Sequence, residues 1–153
     1  MENPLSVLVA DDTPGAADEI VELLESAGFA ARAVGSSGAA LDAAHALEPD
    51  VVVLEPLMEG GWEVAAWLRR RNGRGPALVA LTRGPWSVAE SRATGFDYLV
   101  MKADEPYTLL VAVMLYAFRS DTLPQVWKLC VNRVASFWRC LVVRSARHPS
   151  MAS

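Results

Sequence analysis

The chain is 153 residues long, 52% hydrophobic and 21% charged, a balance that suits one compact domain with an appendage and excludes wholesale disorder. Its net charge of -4 is unevenly spread: residues 1–118 carry 17 acidic and 8 basic side chains, while residues 119–153 carry a single acid, Asp121, and six basic residues. That asymmetry marks a body and a tail of different purpose.

The body alternates short apolar runs with longer helical periods. Val7-Leu8-Val9-Ala10 is an unbroken apolar run ending at Asp11-Asp12, as a buried parallel strand would. Pro14-Gly15 opens a helix with Ile20, Leu23 and Leu24 on one face and Asp18, Glu19, Glu22 and Glu25 on the other, and Gly28 ends it. Phe29 to Val34 is a second strand. Ser36 or Ser37 caps a helix through Leu41, Ala44 and Leu47, which Pro49 stops. Val51 to Leu54 is a third strand, buried on both sides by its composition. Gly60-Gly61 leads into a helix with Val64, Ala65 and Leu68, closed by Asn72-Gly73. Ala77 to Leu81 is strand four, Ser87 to Thr94 a short helix, Tyr98 to Met101 strand five, and Glu105 to Phe118 helix five.

Strands alternating with helices across short loops predict an α/β fold, a doubly wound parallel sheet covered on both faces. Chemistry in such sheets gathers at the carboxyl ends of the strands. Asp11, Asp12, Glu55, Thr82 and Lys102 all fall at such ends. Five polar groups converging on one place weigh more than any single motif.

Five segments carry a family resemblance: Val-Leu-Val-Ala-Asp-Asp (7–12), Pro-Asp-Val-Val-Val-Leu-Glu (49–55), Gly-Trp-Glu-Val-Ala (61–65), Leu-Val-Ala-Leu-Thr (78–82) and Ala-Thr-Gly-Phe-Asp-Tyr-Leu-Val-Met-Lys (93–102). Over residues 5–118 the chain resembles the response-regulator receiver domain of phosphorelay signal transduction. The resemblance implies a flavodoxin-like sheet of order 2-1-3-4-5. It also implies that Asp11 and Asp12 match the acids that hold Mg²⁺, that Thr82 and Lys102 match the groups that contact phosphate, and that Glu55 stands where the phosphate-accepting aspartate would. Hard oxygen ligands suit Mg²⁺, and a lysine neutralises a transferring phosphoryl group.

The chain departs from the family pattern at three places. Glu55 is longer than aspartate by one methylene, roughly 1.5 Å of bond, and a misplacement of about 1 Å can slow in-line transfer about 100-fold. The loop after strand three is short, with Glu59 where a proline is usual. Lys102 is followed by Ala103 instead of proline. Three readings of Glu55 stand side by side: a solvated strand-end carboxylate, a permanent ion pair with Lys102 that imitates the phosphorylated state, and a working glutamyl phosphate. Three carboxylates brought together here repel, which favours either a bound cation or one acid that keeps its proton, and weak or vestigial Mg²⁺ binding is the cofactor expectation.

Helix five carries no charge from Pro106 to Phe118, so something must cover its outer side. In receivers the face made by helix four, strand five and helix five is the usual output surface. A protein partner, a second copy in a homodimer and the chain's own tail are the candidates here. Within residues 119–144, Thr122, Pro124 and Gln125 suit a helix start, and Val126, Trp127, Leu129, Val134, Phe137, Trp138 and Leu141 give one apolar face. The expected object is a basic amphipathic helix packed on its own domain, with residues 145–153 disordered. Cys130 and Cys140, ten residues apart in that helix, would stand roughly 15 Å apart along its axis and cannot pair within it. A cysteine-free body fits a reducing compartment. The opening Met-Glu-Asn-Pro is no signal peptide, and a cytoplasmic protein is expected.

His45 and His148 lack metal partners at ligand spacing. Arg69-Arg70-Arg71 suits the solvated end of a helix, and Trp62 and Trp67 are packing residues. The expectation is a stand-alone, non-enzymatic receiver-like domain acting by protein contact without phosphorylation at Glu55. The alternatives are a Mg²⁺-dependent phosphoacceptor and a membrane- or nucleic-acid-associated adaptor working through the tail.

Overall fold

A computed structural model describes residues 4–71, 75–84, 88–102 and 113. Five strands, β1 (Ser6–Ala10), β2 (Ala30–Val34), β3 (Val51–Leu54), β4 (Ala77–Thr82) and β5 (Tyr98–Met101), alternate with α1 (Ala16–Ser26), α2 (Ser37–Leu47), α3 (Gly61–Arg70) and α4 (Val88–Ala93). All strand pairs are parallel, in the order β2-β1-β3-β4-β5. This is the expected flavodoxin-like sheet. The expected fifth helix and the tail helix over 119–144 lie outside the described residues, apart from Val113, which is helical and fully buried.

The period of two in the strands builds two cores. Val7, Val9, Val51, Val53 and Val79 point to one face and pack with Leu24 of α1 and with Val113. Leu8, Ala10, Val52, Leu54, Leu78 and Ala80 point to the other and pack with Ala40, Ala44, Val64 and Leu68 of α2 and α3. Every residue of β3 and β4 is buried, which explains their unbroken apolar sequences. The edge strand β2 exposes Ala30 and Arg32.

Local chemistry sets the helix ends. Ser36 is the N-cap of α2, its hydroxyl accepting from Ala39 N at 3.2 Å. Ser37 instead donates to the Glu59 carbonyl, tying α2 to the loop after β3. Gly61 begins α3 pressed against that loop; a Cβ there would lie 2.7 Å from Pro56 O and 2.8 Å from Glu55 O. Only a residue without a side chain lets the turn close so tightly.

Arg69 and Arg70 are exposed at the end of α3, as expected. Arg69 also donates through Nε to Gly95 O at 2.5 Å and pairs through Nη2 with Asp97 at 2.6 Å. Arg71 sits 5.1 Å over the Trp67 ring and 3.5 Å from Glu48. Both find partners far along the chain that local periodicity does not reveal. Trp62 packs edge-on against Phe96, ring centroids 6.2 Å apart. Among the described residues, no helix is long and apolar enough to cross a membrane.

Candidate functional site

The site lies where the expected residues converge, at the carboxyl ends of β1, β3, β4 and β5. Backbone pairing continues one residue past the strands and fixes each side chain's origin. Asp11 N donates to Val34 O at 3.2 Å, Glu55 N to Ala10 O at 2.9 Å, and Lys102 N to Thr82 O at 2.8 Å. Asp11, Glu55 and Thr82 are the polar residues buried there, at 3%, 6% and 0% exposure. A charge at such depth requires partners.

Lys102 supplies them. Its Nζ lies 2.5 Å from Asp11 Oδ2 and 2.7 Å from Glu55 Oε2. The second oxygen of each acid is held by backbone: Asp11 Oδ1 accepts from Thr13 N at 2.9 Å, and Glu55 Oε1 from Leu57 N at 3.0 Å. Among the described residues, Asp11 Oδ2 has no partner besides the Lys102 ammonium. Burial alone would push the Lys102 ammonium to a lower pKa. The close contacts with Asp11 and Glu55, and the charges those acids carry, outweigh burial and hold it above its ordinary 10.5.

The remaining site residues stand apart from this triad. Asp12 is exposed at the end of β1. Thr82 is buried, and its hydroxyl oxygen accepts from Gly84 N at 3.2 Å. The first of the three readings of Glu55 no longer applies, because a side chain this deeply buried is not a solvated carboxylate. Two features escaped the sequence reading. Asp11 binds the lysine directly, and the Leu57 N–H anchors Glu55. The backbone donor leaves no mark in side-chain spacing. The Asp11 contact was legible in principle, since a lysine among strand-end acids is the nearest available cation.

The residues do not fit a divalent ion as they are arranged. Among the described residues, no group of three or more His, Cys, Asp or Glu side chains is placed to hold a metal. Two of the three acids have their oxygens engaged by Lys102 and backbone N–H groups, and the third points to solvent.

No family model matches the chain. The DNA-binding response regulator MtrA of Mycolicibacterium smegmatis is 29% identical over 120 residues, covering 77% of this chain and 53% of that protein. MtrA of Mycobacterium leprae is 28% identical over 120 residues, with the same coverage. The chain thus spans about half the length of the curated relatives it matches. Among solved structures, the receiver domain of Francisella response regulator 1452 superposes with a TM-score of 0.70 at 24% identity, covering 77% of this chain and 99% of that one. The chemotaxis response regulator CheY4 of Vibrio cholerae does so with a TM-score of 0.67 at 22% identity, covering 74% and 99%. The parallel sheet and these likenesses show a CheY-like, flavodoxin-like fold.

Proposed function

We propose that this chain is a receiver of two-component phosphorelay signalling that acts by protein contact, without a phosphoryl group on Glu55 and without catalysis of its own. The observation that carries this reading is the 2.7 Å contact between Glu55 Oε2 and Lys102 Nζ. In the family, the lysine meets a phosphoryl group; here it meets a resident carboxylate of the same sign. With Oε1 held by Leu57 N and Oε2 by Lys102, both oxygens of Glu55 are oriented by resident donors, and in-line transfer depends on how the attacking oxygen is aimed. Thr82 and Lys102 then serve as phosphate-contact positions in a pocket that stays loaded by its own acid. Mg²⁺, which receiver domains commonly bind, is held here weakly at best by Asp11 and Asp12.

The output surface in this reading is the face that includes α4 and β5, taken by a protein partner or a second copy of the chain in the cytoplasm. Labelling with acetyl phosphate and Mg²⁺, followed by intact-mass measurement, tests the reading. The expected result is an unchanged mass. A stoichiometric, hydroxylamine-labile adduct mapped to Glu55 overturns it.

A further inference from the structure

We propose that the Lys102 ammonium is the resident cation of this pocket, holding the carboxylate oxygens a divalent ion would need and competing with that ion for them. Three observations support this. Nζ stands within 2.7 Å of an oxygen from each of the two buried acids. Among the described residues, Asp11 Oδ2 meets no donor besides the ammonium, so no backbone group would contend with a cation for it. The outer oxygens of both acids are fixed by Thr13 N and Leu57 N, so the inner pair is aimed at one point whether or not the lysine is there. Removing the ammonium would leave two convergent, buried carboxylates with Asp12 beside them in sequence, a hard-oxygen set of the kind Mg²⁺ and Mn²⁺ take.

The pocket then has two exclusive occupants of like charge, one of them covalently tethered. The tethered ammonium and a divalent ion are drawn to the same carboxylate oxygens by the same Coulomb attraction. Deleting the ammonium is therefore expected to tighten divalent binding by about tenfold or more. The competition does not depend on whether Glu55 accepts phosphate. A mass adduct at Glu55 would overturn the phosphate-free reading and leave this inference standing.

Mn²⁺ titration followed by electron paramagnetic resonance, on the full chain and on Lys102→Met, tests it. The expected result is no binding by the natural chain below millimolar Mn²⁺, a clear gain in Lys102→Met, and loss of that gain when Glu55→Gln is added. Submillimolar binding by the natural chain, or equal binding by Lys102→Met, overturns it. Should Lys102→Met be unfolded in metal-free buffer, circular dichroism with millimolar Mn²⁺ becomes the readout. Refolding supports the inference, and a chain that stays unfolded overturns it.

Discussion

The two ends of the sheet use the same residue types for opposite purposes. At the amino ends, acids close the framework from its surface. Asp50 Oδ2 accepts from Ser6 N at 2.8 Å and from Ser6 Oγ at 2.9 Å, and Asp97 Oδ2 accepts from Leu78 N at 2.8 Å while pairing with Arg69. At the carboxyl ends, Asp11, Glu55 and Lys102 are withdrawn from water. The side chains of the Arg69–Asp97 pair are 34% and 44% exposed, whereas those of Lys102, Asp11 and Glu55 are 13%, 2% and 7% exposed. Burial, not the identity of the charges, separates a surface tie from a committed site. An exposed pair is screened and worth little; a buried one punishes the loss of either partner.

Breaking the buried triad should have the largest effect. Lys102→Met is expected to lose about 3–5 kcal/mol of unfolding free energy, measured by urea denaturation in metal-free buffer. A loss as small as that of a surface pair would erase the distinction between the two ends.

Alkaline titration sharpens the same contrast. The Lys102 ammonium is held above 10.5 in the folded chain, so the stability it contributes is complete below that value and declines as pH rises through the folded pKa. Thermal unfolding scans should show a decline in the natural chain above pH 10.5 that is shallower in Lys102→Met. Equal slopes would mean that the ammonium contributes nothing to holding the two acids together.

The smallest effect belongs to the amino end. Arg69→Met keeps the aliphatic stem and should cost about 1 kcal/mol or less, again by urea denaturation. A loss equal to that of Lys102→Met would place the critical charges at the wrong end of the sheet.

Much of the architecture was legible in the chain. The unbroken runs Val51–Leu54 and Ala77–Leu81 could only be central parallel strands, and they are buried throughout. The strand-end positions of Glu55 and Lys102 put them in reach of each other, and they meet. Asp11 was harder to place, because the resemblance assigns it to a metal, while the geometry turns one oxygen to Thr13 N and the other to Lys102. The exposure of Arg69 was legible, but its surface partners, Gly95 and Asp97, lie 26 and 28 residues away, beyond any helical period. The hold of Leu57 N on Glu55 is a backbone matter, and spacing of side chains carries no trace of it.

The absent side chain at Gly61 has an outsized effect on what mutation can reach. With Pro56 O and Glu55 O occupying the room a methyl group would take, even alanine must shove the turn that carries the pocket's acid. A substitution at Gly61 thus disturbs Glu55 from six positions away without altering any charge. Drift at that hinge would be felt first as a misdirected carboxylate, and only later as a loosened fold.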